Sequence, residues 1–302
     1  MRFFFFWGWA LLLFGRDATG QQRLNKLIDL FDNGVPPLGI FVSNLSPRSA
    51  AAVSASSLDF IIIDLEHSPA DMTRLETYLL ALVDKRRLVE KASLQPDVVP
   101  LVRLPANGRE RVQYLAKQML DLGVFGVVAP HVDTGKEALA VVRAARFAQK
   151  DGSPDAEPSG QRGVGYGWAA RYWGVGSRYP EKADVGPLDP NGELLVWCMI
   201  ESREAVDNIR SIASTPGISG LFIGPSDLSF SLGVPENDPK VEMAIRKVLA
   251  ACLEARVPCG TLTSAEGVAT RLDQGFRFLT VGGDSGLSSS VDRALQVGRQ
   301  RR

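Results

Sequence analysis

The chain has 302 residues, 45% hydrophobic content and 34 basic against 34 acidic side chains, so its formal net charge is zero. That supports one large core without requiring a second domain, and it argues against a broad nucleic-acid surface while leaving a local patch open. The three cysteines, Cys198, Cys252 and Cys259, form no CxxC pair, which argues against a disulfide framework or structural zinc site and favours a reducing, cytoplasmic setting.

Residues 3–14 form an apolar run after Arg2, too short to span a bilayer as a helix. The run has the shape of a secretory signal but lacks a clear small-x-small cleavage site, and a mispredicted start codon would look the same. Residues 1–20 are therefore set outside the fold, residues 21–302 are read as one domain, and no membrane partner is expected. Residues 21–32 then place Leu24, Leu27, Ile28 and Phe31 at helical spacing. A first strand follows at 38–43, and the Ala- and Ser-rich stretch 46–57 reads as helix. FIIIDLEHS at 60–68 is a continuous apolar run ending in Asp64, Glu66 and His67, as in a strand buried on both faces of a parallel sheet. A helix is expected at 73–83 and a charged loop at 84–97. Strands at 98–105 and 124–133 alternate with helices at 109–122 and 136–147.

Residues 148–192, rich in Gly, Pro and Asp, form the least regular stretch, of a length usually functional or disordered. Strands at 194–200, 220–224, 257–262 and 276–282 complete the set. Helices at 204–213, 239–255, 265–273 and near 287–298 fill the gaps, and the closing GRQRR reads as a solvated tail. Strands alternating with helices in this order predict an α/β fold, a single (β/α)8 TIM barrel, over an open doubly wound sheet. No GxGxxG follows the first strand, which weakens a dinucleotide reading.

Active residues of such a barrel come from the C-terminal ends of its strands. Those ends hold Asp64, Glu66, His67, Arg103, His131, Glu201 and Asp227, and both histidines of the chain are among them. Glu201 and Asp227 lie one strand–helix–strand crossover apart, so their carboxylates emerge at one rim beside the turn Gly224-Pro225-Ser226. There they suit a hard divalent cation that shares its remaining positions with the oxygens of a 2-oxo acid; the alternative is two ordinary capping acids. Arg103 offers fixed donors to an oxygen that becomes negative in an enolate, or else pairs structurally with a rim acid. His67 can move a proton, with Asp64 orienting its ring or only capping the loop. The backbone N–H groups of Ser226 and Asp227 open a helix and can bind a substrate carboxylate. Glu66 is read as pointing away, with a supporting role at most. Trp168, Tyr172 and Trp173 either form an apolar lid or pack on the barrel's own helices. No lysine lies at a predicted strand end, so no Schiff base is expected.

FIIIDLEHSP, PLVRLP, APHVDT, GQRGVG, CMIESREAVDNI and FIGPSDLSFSLG, in this order and spacing, resemble the HpcH/HpaI class II aldolases across roughly residues 22–290. That group includes 4-hydroxy-2-oxo-heptanedioate aldolase, 2-dehydro-3-deoxyglucarate aldolase and macrophomate synthase. The resemblance implies a phosphoenolpyruvate/pyruvate-type (β/α)8 barrel, hexameric as a trimer of dimers, with the last helix exchanged between partners. It implies Mg2+, Mn2+ or Co2+ at the positions of Glu201 and Asp227, a pyruvate enolate stabilised at Arg103, and an Asp64–His67 dyad that handles protons through a water. The implied reaction is reversible aldol cleavage of a 4-hydroxy-2-oxo acid to pyruvate and an aldehyde. Oxaloacetate decarboxylation with enolate transfer and non-catalytic binding of a 2-oxo acid are the alternatives. Substrate contacts are expected from Arg103, Gly224, Ser226, Asp227, His131 and Met199. His131 matches a macrophomate-synthase-like pattern, and Met199 stands where bacterial members commonly carry Gln. The extra residues 148–161 are expected to reshape access for the aldehyde.

Overall fold

The computed structural model describes residues 23–283 and 289–301. The signal-like stretch 1–20 lies outside the described residues. Eight parallel strands close into a barrel in sequence order: β1 Leu38–Val42, β2 Phe60–Asp64, β3 Val99–Arg103, β4 Gly126–Ala129, β5 Leu195–Ile200, β6 Gly220–Ile223, β7 Cys259–Leu262 and β8 Phe278–Gly283. The first helices are α1 Lys26–Asp32, α2 Pro47–Ala55, α3 Met72–Leu82, α4 Lys85–Lys91, α5 Gln113–Leu122 and α6 Gly135–Ala145. Two short ones follow, α7 Gly167–Trp173 and α8 Tyr179–Lys182. The remainder are α9 Arg203–Asp207, α10 Ile209–Ala213, α11 Pro225–Leu232, α12 Pro239–Ala255, α13 Val268–Gln274 and α14 Ser289–Arg299. The predicted (β/α)8 barrel is the observed fold. Among the described residues no helix is long and apolar enough to cross a membrane.

The barrel floor is aromatic. Phe278 stacks on Phe60 at 3.9 Å and on Trp197 at 4.1 Å, and Phe31 of α1 lies 6.1 Å from Trp197, so the first helix plugs the N-terminal end. The Trp197 ring fits only because Gly220 lacks a side chain: a Cβ there would meet the ring at 2.3 Å. Such ring pairs contribute about 0.5–1.5 kcal/mol each beyond the area they bury. The packed floor leaves the strand C-termini as the open face.

Several local expectations are corrected. The charged loop expected at 84–97 contains α4, capped by the Asp84 carboxylate on the N–H groups of Arg86 and Arg87. The strand expected through residue 133 ends at Ala129, and the helix expected at 204–213 is two, α9 and α10. The segment 146–194 joins α6 to β5, so its two ends lie at the N-terminal face. The stretch 148–161, expected to reshape aldehyde access, is part of this segment. Arg146 is fully buried there and holds the segment through a paired hydrogen bond to Asp184, at 2.7 Å on both oxygens, and one to the Pro158 carbonyl at 2.8 Å. Trp173 stacks on Phe125 at 4.4 Å and donates to the Gly123 carbonyl at 2.7 Å, so it packs under the barrel instead of forming a lid. The last helix, α14, packs in cis: Val291, Ala294, Leu295 and Gly298 are buried, and a Cβ on Gly298 would lie 2.3 Å from Leu38 of the same barrel.

Candidate active site

β2 and β3 are in register so that Asp64 lies beside Arg103, each the last residue of its strand. Arg103 donates from Nε to Asp64 Oδ1 at 2.9 Å and from Nη2 to Oδ2 at 2.7 Å, a bidentate pair. Its Nη1 lies 2.9 Å from Glu66 Oε2, and its guanidinium carbon is 4.9 Å above the Phe41 ring. Burial pushes the Asp64 carboxyl up, but the Arg103 hydrogen bonds and charge, with the N–H groups of His67 and Glu66, outweigh it and hold the group below its ordinary value. Burial opposes the charge of Arg103, and Asp64, Glu66 and Glu201 more than restore it.

Glu66 corrects the sequence reading. Its side chain is 12% exposed and faces the rim, 3.8 Å from the His131 ring and 3.7 Å from the His67 ring. Residues i and i+2 of an extended chain share a face, and that rule places Glu66 with Asp64. Its Oε2 is buried and lacks a hydrogen bond of good geometry despite the nearby guanidinium, so an acceptor position stays open. Burial raises its pKa more than Arg103, His67 and His131 lower it. The expected Asp64–His67 ring contact is replaced: Asp64 accepts the backbone N–H of His67 at 3.4 Å, both its oxygens serve Arg103, and the His67 ring, 62% exposed, lies nearest Glu66.

Beyond β4 the chain turns sharply. His131 has φ +48°, left-handed backbone that costs a non-glycine residue about 1–2 kcal/mol. The turn aims its N–H at Glu201 Oε2, 2.8 Å away. Glu201 follows β5 and is 2% exposed. Among the described residues its ion-pair candidate within 4 Å is the His131 ring, at 3.9 Å. Burial, with the charges of Glu66 and Asp227, pushes the Glu201 carboxyl up to about 8. Asp227 sits in the first turn of α11, whose N-cap, Gly224, has no capping side chain, so the N–H groups of Ser226 and Asp227 keep open donor positions. The Ser226 hydroxyl itself donates to Glu236 at 2.8 Å. Met199 is 2% exposed on β5 and shares the face of Glu201 by alternation, one layer below it.

The structure thus brings Asp64, Glu66, Arg103, His131, Glu201 and Asp227 to one arc of the rim, from β2 to β6, with His67 at its edge. The fit of a divalent cation rests on Glu201 and Asp227. A buried carboxyl whose hydrogen-bond donor is a backbone N–H, adjacent to a second carboxylate, is a donor set that a hard cation completes. A second acidic cluster, Asp155, Asp184 and Asp189, lies in the α6–β5 segment on the opposite face, where Arg146 already supplies the cation.

Two expected results follow from this geometry. A Cβ on Gly224 would lie 2.5 Å from Glu201 Oε1. Gly224→Ala should therefore fold, displace that carboxylate and weaken Mn2+ binding by about 10–100-fold, read by electron paramagnetic resonance titration. The second concerns pH. With Glu201 at about 8 against an ordinary 4.5, the folded metal-free protein holds a proton that the unfolded chain has released. Its stability therefore falls as pH rises through that window, and the raised Glu66 adds in the same direction. Thermal melts in chelator should show this decline, and Mn2+, by displacing the proton, should raise Tm most at the alkaline end. A metal effect that does not grow with pH would contradict the assignment.

Comparison with known proteins gives a consistent picture. The family model of the HpcH/HpaI aldolase/citrate lyase family matches residues 38–290. A 5-keto-4-deoxy-D-glucarate aldolase of Citrobacter koseri is 31% identical over 261 residues, 85% of this chain and 90% of its own length. The enzyme of the same description from Escherichia fergusonii is 32% identical over 253 residues, 83% and 87% of the two chains. A solved HpcH/HpaI aldolase/citrate lyase family protein from Burkholderia cenocepacia superposes with a TM-score of 0.70 at 31% identity, covering 91% of this chain and 96% of that one. Macrophomate synthase, at 24% identity and TM-score 0.67 over 92% of this chain and 89% of its own, shares the fold.

Proposed function

This chain belongs to the HpcH/HpaI aldolase/citrate lyase family, and from that premise we propose that it is a divalent-metal-dependent carbon–carbon lyase cleaving a 4-hydroxy-2-oxo acid reversibly to pyruvate and an aldehyde. The observation that carries the reading is the buried Glu201 carboxyl, bonded by a backbone N–H and facing the Arg103 end of the rim beside Asp227. Glu201 and Asp227 would hold Mg2+ or Mn2+, which when bound supplies Lewis-acid stabilisation of negative charge on oxygen.

The chain's own groups divide the remaining work. A guanidinium has five N–H donors. Asp64 takes two of those on Arg103, and Glu66 lies against a third. Two are left for a substrate oxygen that gains charge as the carbon–carbon bond breaks. Asp64 fixes the plane of that fork, so the donors are aimed before the reaction. The open N–H groups of Ser226 and Asp227 take the carboxylate of the 2-oxo acid. His67 and Glu66, at 3.7 Å, form the pair that moves the hydroxyl proton of the substrate, with the open Oε2 of Glu66 as acceptor. In the synthetic direction the same proton returns to the new alkoxide. Two adjoining clefts, about 410 and 230 Å³, share Ser43, Leu45 and Arg74, and the smaller reaches Ser68, the residue after His67; the hydroxyls of Ser46, Ser68, Thr73 and Thr77 in their lining offer hydrogen bonds to a polar aldehyde.

Decarboxylation of oxaloacetate uses the same donors and is the second reading, favoured by the imidazole of His131 between Glu66 and Glu201. The test follows pyruvate release, coupled to lactate dehydrogenase, from a panel of 4-hydroxy-2-oxo acids and from oxaloacetate in Mn2+. The reading expects kcat/KM for the best hydroxy-oxo acid to exceed that for oxaloacetate at least about tenfold, a difference near 1.4 kcal/mol in the transition state. Faster release from oxaloacetate than from every aldol substrate would favour the second reading.

A further inference from the structure

Glu201 and His131 sit between two cross-links. On the inner side the Val132 N–H donates to the Met199 carbonyl at 3.2 Å. On the outer side the hydroxyl of Ser202, the residue after Glu201, donates to the carboxylate of Asp133, two residues beyond His131. Asp133 is 3% exposed. Its other oxygen accepts from the guanidinium of Arg109, on the loop that leaves β3 after Arg103. Its backbone N–H donates to Glu137 at 2.7 Å, and its carbonyl accepts from Asn208 at 2.9 Å. Arg109, 58% exposed, also bonds Glu204 at 2.7 Å.

We propose that Arg109, Asp133 and Ser202 form a positioning network that sets the His131 turn and the Glu201 carboxylate relative to the end of β3 that carries Arg103. The inference rests on the reading of Glu201 as a metal ligand. Three facts carry it. The left-handed backbone at His131 is costly for a non-glycine residue and persists only if its surroundings over-determine it, which the cross-links on both sides do. The network joins the loops after β3, β4 and β5, which carry or directly follow Arg103, His131 and Glu201. Asp133 is a buried carboxylate that accepts from the neutral Ser202 hydroxyl on one oxygen and from Arg109 on the other, and Arg109 is the cation that neutralises it. Because that cation reaches in from solvent, the network is open to ionic screening, whereas the buried Arg103–Asp64 pair is not.

The experiment compares wild type, Arg109→Gln, Arg109→Lys and Glu201→Gln by three readouts: Mn2+ affinity from electron paramagnetic resonance, Tm, and the steady-state rate of pyruvate methyl-proton exchange. The expected result for R109Q is a rise in Mn2+ Kd and a fall in exchange kcat at saturating Mn2+, each about tenfold, with KM for pyruvate within about twofold of wild type. R109K should recover at least half of the loss on a logarithmic scale. Raising salt from about 0.01 M to about 1 M should weaken Mn2+ binding more in wild type than in R109Q. An R109Q protein that melts earlier yet matches wild type in Kd, kcat and salt response would show a merely structural ion pair and overturn the network. Wild type that neither binds Mn2+ nor exchanges would instead overturn the metal-site reading, and the network with it. Should R109Q fail to fold, Glu204→Gln loosens Arg109 while leaving Asp133 paired. It is expected to raise Kd about threefold, and equality with wild type overturns the proposal.

Discussion

Replacing Glu201 by glutamine should leave the barrel folded and remove metal-dependent turnover by at least about 1,000-fold, beyond the 10–100-fold typical of outer-shell substitutions. The amide keeps the shape and an oxygen to accept the His131 N–H, so the turn after β4 survives. It removes the charge whose burial lifts the carboxyl to about 8. In the absence of metal, E201Q should thus melt no lower than wild type at alkaline pH, and its Tm should be flatter with pH across the window set by Glu201. In the presence of Mn2+ the order should reverse, because only wild type gains stability from the ion. Paired melts in chelator and in Mn2+ read both effects. If Mn2+ stabilises E201Q as much as wild type, the cation is held elsewhere, and the Asp155–Asp184–Asp189 cluster becomes the site to test.

The second large effect belongs to Arg103. Arg103→Ala leaves Asp64 and Glu66 facing each other at a buried rim without their cation, which costs about 3–5 kcal/mol. Arg103→Lys keeps one charge but cannot satisfy both Asp64 oxygens while serving a substrate. It should therefore be the more stable of the two and still lose about 100–1,000-fold in kcat, as when an aimed donor to a developing oxyanion is removed. Chemical denaturation with single-turnover kinetics separates the two losses. The pH sign also follows. Arg103 lowers the Asp64 pKa in the folded state, a contribution present above the unfolded value and lost as pH falls through the folded one. Arg103→Ala should remove that part of the acid sensitivity. Wild-type kcat in R103K would make Arg103 a structural partner of Asp64 and leave the substrate oxygen to other groups.

The barrel was legible because its signal is dense and local. FIIID and LVWCMI are buried at every position, and strands of that kind read as continuous apolar runs. The rim acids and Arg103 could be placed because a strand's end fixes where its last side chain emerges. What escaped depends on features the local pattern does not carry. KRRLVEK of α4 buries no residue and so shows no apolar stripe; its helix is announced only by the Asp84 cap. The left-handed turn at His131 is set by a hydrogen bond to Glu201, seventy positions later in the chain. The order in residues 146–194 comes from Arg146 meeting Asp184 across a long loop. Glu66 could have been found, since alternation pairs it with Asp64. The loss of the expected Asp64–His67 ring contact could not, because the claim of Arg103 on both Asp64 oxygens is a tertiary fact.

The claim on which the account turns is that this rim forms an enolate of pyruvate with a divalent cation at Glu201. The most direct measurement follows exchange of pyruvate methyl protons into D2O by NMR, with the protein in Mn2+ or Mg2+, in chelator, and as E201Q. This half-reaction requires no knowledge of the aldehyde. The account predicts exchange that needs metal, stops in chelator and is absent in E201Q. Folded, metal-loaded wild type that exchanges no faster than free Mn2+ in buffer would contradict it.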